Sequence, residues 1–130
     1  MEFFMNKDTG FIGDLEHGFL NISSDSSNGY KPFELIVSSI AGCSGSVLRT
    51  ILEKKRIDFS GIKINAEVTR DKKRANRISE ISLHYIVEGS NAEKDIVQKS
   101  LELAIKNCGM IQTVIDSVQI KETIEVTKKD

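Results

Sequence analysis

From Leu35 to Leu48 the chain carries no charged side chain, and Pro32 and Glu34 stand just ahead of that run. Proline at a first helical turn sacrifices no hydrogen bond, and an acid there meets the positive end of the helix dipole. Leu35, Ile36, Ile40, Val47, Leu48, Ile51 and Leu52 recur at helical spacing, and Glu53-Lys54-Lys55-Arg56 closes the segment with a solvated, largely basic end. A helix this poor in charge is expected to be buried, with the rest of the chain arranged around it. The uncharged run is shorter than the roughly 20 residues a bilayer crossing takes, so no membrane span is expected.

The flanking segments read differently. Residues 1–22 mix short apolar runs (Phe3, Phe4, Met5; Phe11, Ile12; Phe19, Leu20, Ile22) with turn residues at Asp8-Thr9-Gly10 and Gly13-Asp14, which fits two or three short antiparallel strands. Residues 23–29 form a polar connector. After the helix, residues 62–70 alternate almost strictly, as do residues 78–87 with one slip, so a hairpin is expected around Asp71-Lys72-Lys73-Arg74-Ala75-Asn76. Ser90-Asn91-Ala92-Glu93 has the form of a capping box opening a second helix, with Ile96, Val97, Leu101, Ala104 and Ile105 as its buried stripe. Asn107-Cys108-Gly109 interrupts it, Met110 to Ile115 makes a short helical turn, and residues 118–126 alternate again. The order, β-β-(β)-α-β-β-α-α-β, predicts one α+β domain over residues 1–130 with helices on one face.

Composition narrows the function. With 39% hydrophobic and 28% charged residues and a formal net charge of −1, the chain has no basic excess to bind nucleic acid or an anionic membrane surface. Five cationic residues cluster between Arg70 and Arg77, but without interleaved aromatic residues they fit a solvated hairpin tip better than an RNA site. The N-terminus lacks a basic segment followed by an apolar stretch, so the expected compartment is the cytoplasm, where thiols stay reduced and a permanent disulfide staple is not expected.

That places the weight on the two cysteines, Cys43 and Cys108. Gly42, Gly45, Ser39, Ala41, Ser44 and Ser46 crowd Cys43, and each helix-interior glycine costs up to about 1 kcal/mol relative to alanine. Either another segment packs closely there or room is left for a substrate to reach the sulfur. Spacing alone favours a small, inert core cysteine, because the middle of a helix does not itself promote a thiolate. Cys108 falls at the N-cap of the short last helix, where free amides would lower a thiol pKa. No CxxC motif or metal-ligand spacing is present, so neither a zinc or iron–sulfur centre nor another cofactor is expected. Glu34, nine residues before Cys43, is out of phase with it on a straight helix; it could bind a partner group at the helix mouth or simply serve the dipole. His17 and His84 have no companion suited to nucleophilic or metal work.

Pro32-Phe33-Glu34-Leu35, Ala41-Gly42-Cys43 and Lys106-Asn107-Cys108 together resemble the OsmC/Ohr family of osmotically inducible and organic-hydroperoxide-resistance proteins, over essentially the whole chain. The resemblance implies an OsmC-like fold: an antiparallel sheet, a long central buried helix, a second helix, and an intertwined homodimer with active sites at its interface. It further implies a thiol-dependent peroxidase that reduces organic hydroperoxides with a dithiol reductant. Cys43 would be the peroxidatic thiol, Cys108 the resolving thiol of a disulfide cycle, and Glu34 a third catalytic residue. Two departures stand out. Active peroxidases of the family hold Glu directly after the Pro, where this chain has Phe33, and they use an N-terminal-region Arg to stabilise the thiolate, whereas no Arg precedes Arg49 here. The Pro-x-Glu-Leu and Gly-Cys arrangement resembles a separate subgroup. The alternative function is accordingly a weakly catalytic or non-catalytic dimeric stress protein that binds apolar ligands. A Cys43–Cys108 disulfide also requires the Cys108 junction to pack over the middle of the first helix, with Gly109 expected to relieve crowding beside the sulfur.

Overall fold

The computed structural model describes residues 1–130, which divide into two compact units, Met1–Ser38 and Ser39–Asp130. In the first, β1 (Glu2–Asn6), β2 (Gly10–Asp14) and β3 (Phe19–Ile22) form an antiparallel meander. Gly13, expected in a turn, lies inside β2 opposite Phe3; a Cβ there would fall 2.8 Å from the Phe3 ring, so glycine makes room for the aromatic. The turn comes later, where Leu15 and Gly18 exchange backbone hydrogen bonds. The polar connector is held by Asp25, whose carboxylate accepts from the Ser27 amide and hydroxyl.

Helix α1 (Pro32–Lys54) begins in the first unit and runs into the second. Its buried residues, Ile40, Ser44, Leu48 and Leu52, recur every fourth position and make one inward stripe. The expected burial is therefore one-sided: Ile36 is exposed and Gly42 faces open space. In length and mean hydropathy α1 could cross a membrane, but this stripe is buried against protein.

The second unit's sheet has the order β4-β5-β6, with β4 (Gly61–Asp71), β5 (Arg77–Glu88) and β6 (Gln119–Val126). β4 and β5 form the expected hairpin, turned through Ala75 and Asn76 in the left-handed region. The slip in the β5 alternation is a bulge: Thr69 faces Glu80 while Arg70 faces Ile78, which leaves Ser79 extra. The sheet is not wholly antiparallel as expected, because β6 runs parallel to β5. The connection that includes α2 (Lys94–Lys106) and α3 (Gly109–Val114) is long enough to bring the chain back to the end from which β5 starts.

β5 is the centre of the core, with Ile81, Leu83, Tyr85 and Val87 buried along one face. Each such aliphatic side chain contributes about 1.5–3 kcal/mol by leaving water. Helix α2 buries Val97, Ser100, Leu101, Ala104 and Ile105, whereas Ile96, expected in this stripe, is exposed. Ser100 instead accepts Lys55 Nζ at 2.8 Å and donates to the Ile96 carbonyl, tying α2 to the chain just past α1. The capping box does not form: Glu93 is the N-cap without a side-chain bond, and Ser90 Oγ accepts the Ala92 amide.

Candidate active site

The α2–α3 junction is built by side-chain amides. Asn107 closes α2, and its Nδ2 donates to the Leu103 carbonyl at 2.8 Å. From α3, Gln112 Nε2 reaches back to the Ile105 carbonyl at 3.3 Å. These two carbonyls of the last turn of α2, which also accept the Asn107 and Cys108 amides, thereby tie the start of α3 to the end of α2. Cys108 is the N-cap of α3, fully buried, and its Sγ accepts the Ile111 amide at 3.5 Å.

This junction delivers α3 to the middle of α1. The half-buried Cys43 sulfur meets the Met110 N–H, the Cys108 thiol and the Gly109 N–H. The Met110 amide first, then the Cys108 thiol and the Gly109 amide, hold the Cys43 thiol below its ordinary pKa and outweigh its partial burial. The sequence offered no cation for this purpose, and the helix carrying Cys43 does not supply the effect. The donors are backbone amides some sixty-six positions downstream (109 − 43), which leave no mark in side-chain identity.

Cys108 goes the other way. Burial pushes its pKa up, the Ile111 amide offsets part of this, and hydrogen bonding and charge from Cys43 raise it further. The expected lowering by its N-cap position is thus overruled by desolvation and by a neighbour that ionises first. Two neighbouring thiols, one favouring the thiolate and one the thiol, are an asymmetric pair.

The glycines sort themselves by surroundings. A Cβ on Gly45 would come 3.0 Å from Ile64 Cδ1 of β4, so that position is closely packed. Gly42 and Gly109 would meet nothing within 4 Å, so Gly109 does not relieve crowding as expected. Gly42 instead lines an open groove of about 680 Å³ with Gly45, Arg49, Phe59, Ile62 and Ile64. Glu34 is exposed in the first turn of α1, where its Oε1 accepts the Lys31 amide at 3.4 Å; this is service to the helix start. His84 faces Thr123 at 2.6 Å and Glu125 at 3.5 Å on the outer face of the sheet. No group of three or more His, Cys, Asp or Glu side chains is arranged to hold a metal.

Ser44 and Tyr85 escaped sequence reasoning. Their hydroxyls lie 2.7 Å apart in the core, directly behind Cys43. Burial, opposed by the Ser44 bond and reinforced by Cys108 and Glu122, pushes the Tyr85 phenol up to about 12. A tyrosine on the inward face of an alternating strand was the available signal, since a buried phenol needs a partner.

Residues 24–123, which include both cysteines, match the family described as OsmC-like protein. The chain belongs to the OsmC-like family. Among its relatives, Protein YhfA of Escherichia coli strain K12 is 28% identical over 120 residues, 89% of each chain. An OsmC-like fold is shared with a hypothetical protein from Aquifex aeolicus VF5, at a TM-score of 0.89 and 26% identity, covering 99% of this chain and 96% of that one. It is also shared with an organic hydroperoxide resistance protein OsmC from Legionella pneumophila, at a TM-score of 0.76 and 14% identity over 96% of both chains.

Proposed function

We propose that this OsmC-like protein is a thiol-dependent peroxidase of organic hydroperoxides, working as a cytoplasmic homodimer. The observation that carries this reading is the Cys43 sulfur held against the Met110 and Gly109 amides and the Cys108 thiol. The Cys43 thiolate attacks the terminal oxygen of ROOH, an S–O bond forms, the O–O bond breaks, and the alkoxide leaves as ROH after taking a proton. The Cys108 sulfur then attacks the sulfenic sulfur; an S–S bond forms, and the sulfenic OH departs as water with the Cys108 proton. A dithiol reductant returns both thiols by exchange. The name of the Legionella relative, an organic hydroperoxide resistance protein, supports this substrate class. Steady-state reduction of cumene hydroperoxide with a dithiol tests it. Turnover in the wild type that Cys43→Ser abolishes is the expected result; equal rates in both would sink the reading.

Glu34 enters this proposal from the family resemblance, one position after the usual Glu. Unchanged turnover in Glu34→Gln would remove it from the site. The dimer is proposed because β1 is exposed along its whole length and Phe3 and Phe19 are 53% and 73% exposed, an apolar surface that a second copy would cover. Sedimentation at low micromolar concentration should give twice 14.5 kDa; a folded monomer would contradict it. The open groove beside Gly42 favours the second reading, an apolar-ligand-binding stress protein with little turnover, and the same peroxidase assay separates the two.

A further inference from the structure

Ser44 follows Cys43 directly and points into the core, where its hydroxyl lies 2.7 Å from that of Tyr85. Ser44 Oγ also lies 3.4 Å from the Ala41 carbonyl, to which it can donate, and either hydroxyl can donate in the Ser44–Tyr85 bond. One hydrogen-bonded chain therefore runs from the centre of β5 to the backbone of the α1 turn that carries Cys43. The neighbours of Tyr85 on that face of β5, Ile81, Leu83 and Val87, are aliphatic, and an apolar core would be filled as well without the hydroxyls. This polar link joins β5 to α1 beside the dithiol, and Tyr85 is near enough to Cys108 for the charge of Cys108 to raise the phenol's pKa.

We propose that the Ser44–Tyr85 hydrogen bond is a positioning device for the dithiol, fixing the rotation of α1 so that the Cys43 sulfur faces the α3 amides and Cys108. Apolar packing alone fixes that rotation loosely. A roll of about 20° moves a sulfur about 5 Å from the helix axis by nearly 2 Å, given a Cα radius of about 2.3 Å. A thiolate's bonds to amides do not survive such a shift, because hydrogen bonds weaken within a few tenths of an ångström of their working range. Ser44 and Tyr85 act through Cys43 and are positioning residues. The titratable groups facing the assembly are Cys43, Cys108 and, on β6 opposite Leu83, Glu122.

The inference rests on Cys43 and Cys108 forming a working pair, but its test needs no hydroperoxide. Iodoacetamide alkylation of Cys43 in the full chain, followed by peptide mass mapping across pH, is compared for wild type, Tyr85→Phe, Ser44→Ala and the double variant. The midpoint should rise by about 0.5–1 pH unit in each single variant. In the double variant it should rise no further than in the larger single, because the two hydroxyls are one device. Unchanged midpoints in the folded variants, whatever their loss of thermal stability, overturn the proposal, as do additive shifts or a shift in only one single variant. Should Tyr85→Phe fail to fold, Ser44→Ala decides: a raised midpoint supports the proposal and an unchanged one overturns it. Absence of hydroperoxide turnover in the wild type, with these midpoint shifts intact, would instead count against the peroxidase reading.

Discussion

The middle of α1 and the α2–α3 junction each hold one cysteine, and the two sites treat a thiol in opposite ways. Cys43 is half-buried, and the Met110 and Gly109 amides and the Cys108 thiol outweigh its burial; Cys108 is fully buried, and the Ile111 and Met110 amides do not outweigh its burial and the charge of Cys43. The first favours the charged form and the second opposes it. The lesson is that a helix end can activate a sulfur it does not carry: α3 holds Cys108 at its own cap yet lowers the pKa of Cys43 on another helix.

Breaking the asymmetry at Cys108 should have the largest effect. In Cys108→Ser the sulfenic acid on Cys43 loses its intramolecular partner. Turnover should fall by roughly tenfold or more, since a tethered thiol outcompetes millimolar external thiol through its effective concentration. Mass spectrometry should find Cys43 as sulfinic acid under excess peroxide. A linked pair of Cys43 and Cys108 peptides after one equivalent of hydroperoxide is expected in the wild type, and its absence would reduce Cys108 to a packed thiol.

A smaller effect concerns the dry surroundings of Cys108. Tyr85 beside it is pushed from 10.0 to about 12, first by burial. For an acid whose pKa is raised by folding, the folded state keeps the proton where the unfolded state has lost it. The resulting stabilisation is complete below pH 10 and is lost as pH rises to about 12. Denaturation midpoints should therefore decline across that window in the wild type, and less steeply in Tyr85→Phe. Equal slopes would show that the Cys108 side of the pair is wetter than described.

Much of this molecule was legible in the chain. The strands and helices appear in the expected order because residues 62–70, 78–87 and 118–126 keep their alternation, and the single slip marks the Ser79 bulge. The direction of β6 was not legible, since alternation is the same for parallel and antiparallel strands. Gly13 was misread because a glycine that admits an aromatic ring looks like one that permits a turn. At the site, both cysteines could be singled out from their settings. The activation of Cys43 could not, because backbone amides donate regardless of which side chains they carry. Ser44 was hidden among the small residues around Cys43, and only its four-residue spacing from Ile40 and Leu48 marks it as inward-facing.

The smallest effects should come from the glycines flanking Cys43. Gly42→Ala adds a methyl to open space and should stabilise the helix by up to about 1 kcal/mol. Gly45→Ala makes the same backbone gain but must displace Ile64 Cδ1, so its denaturant midpoint should lie below that of Gly42→Ala. The reverse order would mean that the open side of α1 is the one covered by protein.

The central claim, that Cys43 and not Cys108 is the thiolate, is tested most directly by the pH dependence of iodoacetamide alkylation in the native wild-type protein, resolved by peptide. Cys43 should be modified with a midpoint below the roughly 8.5 of an unperturbed thiol, while Cys108 stays protected until the protein unfolds. A Cys43 midpoint at or above that value, or modification of Cys108 first, would contradict it.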